Sequence, residues 1–324
     1  MKIRALVLIA ALVVQIAPTH ADVITIGVAY DTGGLGDLSY NDAVAAGIAL
    51  ETKKGKNFSI EVAVTDGSAM DRESRLRALI KKGANPIIAV GKDYAPAVAK
   101  LSLESPELHF AVMNDASVDG VNVSGIVFSE VQGAFLAGVA AAFASKSGIV
   151  GMIATNSQST LYEKGFKAGV LASKKKIKMS VQYVSTNSTG AAKKLIASGA
   201  DVIFISVPGS ITDVFEVVVK ANTSKRTVGL INFEPDQFLS LTQSTKNYLY
   251  ATVEKKVNIA MRDWIDISLQ GGQFLDFLDE ENGIYGRRYG ITNKGIEIAL
   301  HLSRLAAQAD AINIAASPAA KIAA

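Results

Sequence analysis

Between an apolar run and an alanine-rich run, the chain reads Asp31-Thr-Gly-Gly-Leu-Gly-Asp-Leu-Ser-Tyr-Asn41. The apolar run is Val23–Tyr30 and the alanine-rich run is Asp42–Leu50. This order predicts a strand, a glycine-rich loop and a helix. In α/β proteins such a junction lies at the carboxyl end of a strand, where ligands bind. Because the loop carries two carboxylates, hydroxyls, an aromatic ring and an amide, it is a candidate ligand site.

The same alternation of strand and helix continues along the chain. Further strands are predicted at Phe58–Thr65, Asn85–Gly91 and Leu108–Met113, with charged or amphipathic helices between them. The pattern restarts near residue 130 with a helix rich in small residues. Such alternation is typical of crossover units around parallel sheets. We therefore predict an α/β protein with two Rossmann-like lobes, and two lobes create a cleft for a small ligand.

The first 21 residues have the pattern of a secretory signal peptide. Lys2 and Arg4 precede an apolar core from Ala5 to Val14, and Thr19-His-Ala21 offers small residues for cleavage. We predict that residues 1–21 are a signal peptide and that the protein is exported, to the periplasm or the cell surface.

The cysteine count and the net charge exclude several kinds of site and partner. The chain has no cysteine, so the sequence predicts no disulfide, no thiolate metal site and no lipid anchor on an N-terminal cysteine. Of the 33 basic residues, Lys2 and Arg4 lie in the predicted signal, which leaves 31 against 30 acidic residues. This near neutrality does not suggest nucleic acid or an anionic membrane as a partner.

No catalytic, metal or cofactor constellation can be assembled from the sequence. Of the three histidines, His20 lies in the signal, and His109 and His301 lack ligand-like spacing. Gly33–Gly36 does not fit the phosphate-loop or the dinucleotide pattern. We expect no catalytic residue, metal site or cofactor.

Several motifs along the chain resemble, in the same order, those of the basic membrane protein family. The opening loop resembles the first motif of that family. Others are Ile87-Ile-Ala-Val-Gly91, Phe110-Ala-Val-Met-Asn-Asp115, Val127-Phe-Ser-Glu-Val-Gln-Gly-Ala-Phe-Leu-Ala-Gly138, Gly165-Phe-Lys-Ala-Gly169, Gly199-Ala-Asp-Val-Ile-Phe204 and Thr252-Val-Glu-Lys255. The family comprises substrate-binding proteins of ABC importers, often purine-nucleoside receptors, with the type I periplasmic-binding-protein fold.

The resemblance implies a domain organisation and partners. Residues 22–125 and 254–285 would form the N-terminal lobe, and 126–253 and 286–324 the C-terminal lobe. A nucleoside, with a purine favoured, would bind in the interlobe cleft, and lobe closure would be sensed by an ABC permease in the membrane. We expect a monomer.

The resemblance assigns roles in the opening loop. Tyr40 takes the place of a base-stacking phenylalanine, although it is also suited to pack on the next helix. Asn41 would contact the base edge, cap the following helix, or both. Asp31 would accept hydrogen bonds from ribose hydroxyls, whereas Asp37 and Ser39 would hold the loop.

Asn114 stands where the family commonly has the aspartate that reads the base edge, and Asp115 follows it. An ionised aspartate accepts hydrogen bonds, whereas asparagine also donates. If Asn114 is the contact, the preferred base edge differs; if Asp115 has taken the role, the usual preference survives. Lys255 matches the family lysine that would donate to a ribose hydroxyl or to a carboxylate, with a solvated lysine as the alternative.

The second half departs from the family pattern. The stretch Val184–Ser188 lacks the second stacking aromatic, for which Tyr183, Tyr162 or Phe233 are candidate substitutes.

Other contacts expected in this half belong to two loops. Gly209 would bring backbone near the ligand, and Asn232, Glu234 or Asp236 would take the role of a ribose-contacting aspartate. Because of these departures, a sugar or another small polar ligand is the first alternative. A nucleoside-cleaving enzyme is the second alternative, and a ligand sensor that signals to a membrane kinase is the third. The tail from residue 315 lacks a core-forming pattern and is expected to fray.

Overall fold

The computed structural model describes residues 23–155, 159–185, 187–207, 212–233, 238, 241–270, 278–279 and 284–322. The strands are β1 Ile24–Tyr30, β2 Phe58–Val64, β3 Ile87–Val90, β4 Phe110–Met113, β5 Val123–Phe128, β6 Ile149–Thr155, β7 Lys178–Val184, β8 Val202–Ile205, β9 Gly229–Phe233, β10 Leu249–Lys255, β11 Leu278–Asp279, β12 Ile284–Tyr289 and β13 Ile296–Leu300. The helices are α1 Tyr40–Lys53, α2 Ala69–Lys81, α3 Ala95–Glu104, α4 Glu130–Ala144, α5 Ser159–Ala172, α6 Ser188–Ala197, α7 Thr212–Ala221, α8 Gln243–Lys246, α9 Val257–Leu269, α10 Ser303–Ala306 and α11 Ala309–Ala316.

The strands form two sheets. The order in the first is β11-β12-β5-β4-β3-β1-β2, and in the second β13-β10-β9-β8-β6-β7. Within each sheet the strands run parallel, except that β11 pairs with β12 and β13 pairs with β10 in antiparallel fashion. The predicted fold class, two α/β lobes built on parallel sheets, is confirmed.

Helices cover both faces of each sheet, and this explains the continuous apolar strands. In β3, Ile88 and Val90 pack in the cluster that contains Val44 of α1. The alternate residue Ile87 packs in the cluster that contains Leu76 of α2. The second sheet is similarly covered by α4 and α5 on one face and by α6 and α7 on the other.

The chain passes between the two sheets three times: after β5, after β10 and after β12. Backbone bonds join these passages: Ser129 N–H donates to the Tyr289 carbonyl (2.8 Å), and Lys256 N–H donates to the Gly295 carbonyl (2.9 Å). The boundaries expected at 125/126, 253/254 and 285/286 fall inside β5, β10 and β12. Each of these strands belongs as a whole to one sheet, so the chain crosses to the other sheet a few residues after the expected boundary. The assignment of the two lobes as separate domains stays a prediction.

The expectation that the tail frays is wrong as far as residue 322. Ser317–Lys321 form a 3-10 helix in which Ala319 is fully buried. The side chain of Gln132 in α4 donates from Nε2 to the Ile322 carbonyl (3.3 Å). The small side chains of this tail give little hydrophobic periodicity in the sequence. They nevertheless pack closely against the alanine-rich helix α4. Within the described ranges, no helix has the length and apolar character needed to cross a bilayer.

Candidate functional site

The opening loop is held by its own acidic side chains. Asp37 accepts from the backbone N–H groups of Ser39 (2.8 Å), Asn41 (3.0 Å) and Asp42 (3.2 Å). Asp42 accepts in turn from two loop N–H groups at 2.7 and 2.9 Å. Helix α1 therefore begins at Tyr40, two residues earlier than predicted. Its N-terminus is satisfied by Asp37, in agreement with the loop-holding role predicted for that residue.

The buried amide of Asn41 ties the two ends of the loop together. Its Oδ1 accepts from Asp31 N–H (3.1 Å), and its Nδ2 donates to the carbonyls of Asp31 (3.3 Å) and Gly34 (3.1 Å). These bonds use both amide protons, and the remaining acceptor capacity lies on Oδ1. The side chain therefore fixes the backbone around Asp31, which is a different task from capping the helix.

Asp31 forms an ion pair with an arginine from helix α2. Arg72 Nη2 lies 2.9 Å from Asp31 Oδ1 and 3.6 Å from Asp93 Oδ2, and its guanidinium lies 5.6 Å from the centre of the Tyr94 ring. Gly91 adopts a φ of +115°, and a Cβ placed there would lie 2.9 Å from Asp31 Oδ2. The arginine thus fixes one carboxylate oxygen, and the glycine keeps room beside the other.

A cavity of about 420 Å³ lies where these carboxyl-end loops of the first sheet meet the second lobe. It is lined by Asp31, Thr32, Asp37, Ser39, Tyr40, Asn41, Val90, Gly91, Lys92, Asp93, Asn114, Glu130, Tyr162, Ser206 and Lys255. Five of the predicted site residues, Asp31, Tyr40, Asn41, Asn114 and Lys255, therefore share one cavity. Its volume is in the range of small-molecule sites.

The second lobe contributes a buried ion pair to the cavity wall. Lys255 Nζ lies 3.1 Å from Glu130 Oε1, and the lysine side chain is 3% exposed. The same ammonium lies 4.9 Å from the centre of the Phe233 ring and 5.6 Å from that of Tyr40. Because Tyr40 belongs to the first lobe, Lys255 contacts side chains of both lobes.

Tyr162 is the cavity-lining aromatic of the second lobe. Its ring packs edge-on against Phe233, with the centroids 5.4 Å apart. Burial raises the pKa of the Tyr162 hydroxyl well above its ordinary value, so the hydroxyl stays protonated at physiological pH. Of the other candidates for a second aromatic, Phe233 is buried beneath Tyr162, and Tyr183 is exposed and hydrogen-bonds Glu163.

Asn114 and Asp115 point to different surroundings. Asn114 lines the cavity and has a left-handed backbone, with φ of +67°. Asp115 accepts at Oδ1 from the backbone N–H (2.8 Å) and the hydroxyl (2.6 Å) of Ser117, and it is absent from the cavity wall. Non-glycine residues with positive φ are uncommon, and strained backbone of this kind clusters at functional sites.

The remaining predicted residues do not join the cavity wall as described. Asn232 lies in β9 between Ile205 and Thr252, fully buried, with neither amide atom hydrogen-bonded to another described residue. Gly209 and Asp236, as well as Glu234, lie outside the described residues.

Several lining or supporting residues were missed as site residues by the sequence reasoning. Glu130 lies on the second wall beside Tyr162, which was one of three candidates for the second aromatic, and Arg72 holds Asp31. The clearest available signal was Glu130, a lone acid in the first turn of an otherwise apolar helix. Arg72 gave no comparable signal, because α2 carries several other charges and its pairing depends on the folded register.

The lining side chains favour a neutral ligand with hydroxyl groups. Four carboxylates, those of Asp31, Asp37, Asp93 and Glu130, outnumber the two lysines of the wall. Carboxylates accept from hydroxyls and repel phosphate. Among the described residues, no three His, Asp or Glu side chains form a group suited to a metal ion.

The two lobes with a cleft between them define the class of type I periplasmic-binding proteins, and solved structures share this fold. An ABC solute-binding protein from Aeropyrum pernix K1 aligns with a TM-score of 0.68 and 20% identity, over 92% of this chain and 86% of that one. One from Conexibacter woesei aligns with a TM-score of 0.67 and 15% identity, over 93% and 98%.

The chain belongs to the Bmp family of PnrA-like ABC transporter substrate-binding proteins, whose family model matches residues 24–313. It is 27% identical over 261 residues to the ABC transporter nucleoside-binding protein BmpA of Lactococcus lactis, covering 74% of each chain. It is 25% identical to basic membrane protein A2 of Borrelia garinii, over 76% of this chain and 74% of the relative. These findings confirm the predicted family, whose members bind a substrate outside the cytoplasm and work with a membrane permease.

Proposed function

We propose that this protein is the receptor of an ABC importer and binds a nucleoside, with a purine favoured, in the cavity between its lobes. It would be exported by its signal peptide and would act as a monomer. Contacts from both lobes would stabilise the closed state that the permease recognises. Lactococcal BmpA, which is 27% identical to this chain and has a nucleoside-binding name, supports this proposal.

The observation that carries the proposal is the pair of tyrosines on one cavity. Tyr40 comes from the first lobe and Tyr162 from the second, and both lie beside the Lys255–Glu130 pair. A nucleoside needs aromatic faces for its base and polar groups for its ribose. Tyr40 would stack on the base, and Asp31, through Oδ2, and Lys255 would bind ribose hydroxyls. Tyr162, one of the three candidates from the sequence, would supply the second aromatic.

A hydrolytic role fits the cavity less well. A nucleoside hydrolase would need a carboxylate able to activate water. The two carboxylates of the opening loop are already engaged, Asp31 with Arg72 and Asp37 with the N-terminus of α1. We expect no free base to appear when the protein is incubated with inosine or guanosine, and release of base would contradict the proposal.

A thermal-shift panel tests the ligand class. A ligand that binds only the folded state raises the melting temperature. At a ligand concentration of about 100 times the Kd, the free energy of unfolding rises by about 2.7 kcal/mol. We expect shifts with purine nucleosides, smaller ones with pyrimidine nucleosides, and none with ribose or glucose. A shift with sugars alone would establish the sugar-binding alternative.

Tyr40→Ala should weaken nucleoside binding by about 1–3 kcal/mol, because it removes the stacking face. Tyr40→Phe keeps the ring and should retain affinity within about 0.5 kcal/mol. Calorimetric titration of both variants with the best nucleoside measures the difference. Equal losses in the two variants would assign the effect to the hydroxyl and remove the stacking role.

Asn114→Asp should change the preferred base. Adenine presents a donor beside an acceptor, which an amide matches, whereas a carboxylate accepts from donors alone. We expect the affinity ratio of adenosine to guanosine to fall by about tenfold or more, since a bidentate base contact is worth about 1–3 kcal/mol. The control is Asp115→Asn, on the neighbouring residue that faces Ser117, which should leave the ratio unchanged. A change with the control but not with Asn114→Asp would transfer the role to Asp115.

A further inference from the structure

A cluster of exposed lysines lies on the second lobe, away from the cavity. We name it the basic pole and define it by five residues: Lys146, Lys174, Lys175, Lys176 and Lys178. Lys146 lies in the connection from α4 to β6, and the other four lie at or beside the connection from α5 to β7.

The two connections that carry the basic pole touch each other. Lys178 N–H donates to the Gly148 carbonyl at 2.8 Å, and Lys178 pairs with Ile149 in the sheet. Lys175 Nζ lies 4.5 Å from the centre of the Phe143 ring, in the last turn of α4. The lysines of both connections therefore form one surface.

Little of the charge of this surface is compensated nearby, because the carboxylate beside it, Asp201, is 6% exposed and accepts from the backbone N–H groups of Lys146 (2.6 Å) and Ser147 (2.8 Å). The segment 171–178 contains no acidic residue. None of the five lysines forms an ion pair with another described residue, whereas lysines elsewhere do, for example Lys82 with Glu61 and Lys100 with Glu73. A chain with nearly balanced charge thus concentrates positive charge at one place.

Helix α5 extends the basic pole with a mixed basic and apolar stripe. Within α5, Lys164, Lys167 and Leu171 follow one another at spacings of three or four residues, which places them on one face, and Lys174 follows just beyond the end of the helix. Leu171 is 69% exposed and Leu161 is 44% exposed. A basic helix face with exposed leucine is suited to the interface of a membrane.

The basic pole lies at the end of the lobe opposite the cavity. Its connections enter β6 and β7 at their amino ends, whereas the cavity residues Ser206 and Lys255 lie at the carboxyl ends of β8 and β10. Parallel strands place all amino ends on one edge of the sheet. A surface bound to the basic pole would therefore leave the cavity accessible.

We propose that the basic pole binds the anionic phospholipid headgroups of a membrane surface. Protein interfaces are depleted in lysine and enriched in arginine and aromatic residues, and this surface has the opposite composition. Lysine clusters bind anionic lipid through long-range attraction that needs no defined geometry. Such binding would concentrate the receptor at the membrane that holds its permease and would leave the cavity uncovered.

The test compares three proteins with the same N-terminus in vesicle co-sedimentation. They are the wild type, the variant Lys146→Gln/Lys175→Gln/Lys176→Gln/Lys178→Gln, and the control Lys53→Gln/Lys193→Gln/Lys194→Gln/Lys225→Gln, which removes the same charge elsewhere. Lys174 is kept because its backbone is left-handed. Vesicles of phosphatidylcholine with phosphatidylglycerol are compared with pure phosphatidylcholine, which measures any binding by the apolar segment at residues 5–14. Circular dichroism and nucleoside titration verify that each variant is folded.

We expect the wild type and the control to bind anionic vesicles at low salt, and the basic-pole variant to bind at least about tenfold more weakly. Binding should fall at 0.5 M salt, where screening is strong. Equal losses in both variants would overturn the proposal, because net charge would then explain the binding. No binding of the wild type to anionic vesicles, or retention on an acidic polypeptide column alone, would also overturn it.

Discussion

Lys255→Met should destabilise the protein by about 3 kcal/mol and abolish measurable nucleoside binding. The substitution leaves the Glu130 carboxylate in a largely buried position without its ion-pair partner, which typically costs about 3–5 kcal/mol. Because Glu130 retains 15% exposure, the lower end of that range applies. Urea unfolding measures the stability, and calorimetric titration measures the binding.

The neighbouring lysine provides the matched control. Lys256 pairs with Glu254 and Glu297 and is more exposed, so Lys256→Met should cost less than about 1 kcal/mol and leave ligand affinity unchanged. The double variant Lys255→Met/Glu130→Gln should recover most of the stability but not the binding, since the buried charge is gone and the ligand contact is still missing. Similar behaviour of the two lysine variants would make Lys255 an ordinary lysine.

Gly169→Val should lower the free energy of unfolding by about 3 kcal/mol. Helices α4 and α5 approach so closely that a Cβ at Gly169 would overlap the Phe135 carbonyl oxygen, and one at Gly138 would overlap that of Phe166. Backbone atoms cannot move aside as a flexible side chain can. The helices must separate, and because α4 carries Glu130 and α5 carries Tyr162, ligand affinity should fall as well.

Leu171→Val in the same helix is the control for this prediction. Leu171 is exposed, so this variant measures the lower helix propensity of valine alone and should cost about 0.5 kcal/mol or less. Urea unfolding curves of both variants measure the two losses in the free energy of unfolding. Comparable losses at the two positions would show that the close approach of α4 and α5 contributes little to stability.

The fold could be predicted from the sequence because its parallel sheets leave a strong local pattern. Continuous apolar strands such as Ile87–Val90 are buried on both faces, and most strands of the two parallel sheets are followed by a helix. Helix ends were less accurate: α1 begins at Tyr40 because the Asp37 side chain, three residues before it, satisfies its first N–H groups. The tail was misjudged because alanine packs well yet carries little periodic signal.

The part of the candidate site that the first lobe contributes could be predicted, because its residues are neighbours in the sequence. Asp31, Tyr40 and Asn41 belong to one loop, and all three line the cavity. The bond that ties Asn41 to Asp31 and the pair formed by Asp31 and Arg72 could not be predicted, because they depend on the folded loop and on a partner 41 residues away. Tyr162 was one of three candidates for the second aromatic, and only the position of α5 in the folded protein shows that it lines the cavity.

The central claim is that the cavity holds a nucleoside through both its base and its ribose. Isothermal titration of the wild-type protein with a purine nucleoside, its free base and ribose tests this claim most directly. The account predicts that the nucleoside binds at least about a hundredfold more tightly than either part, because linking two parts that fit one site raises affinity without new contacts. Binding of ribose or another sugar without any binding of nucleosides would contradict it.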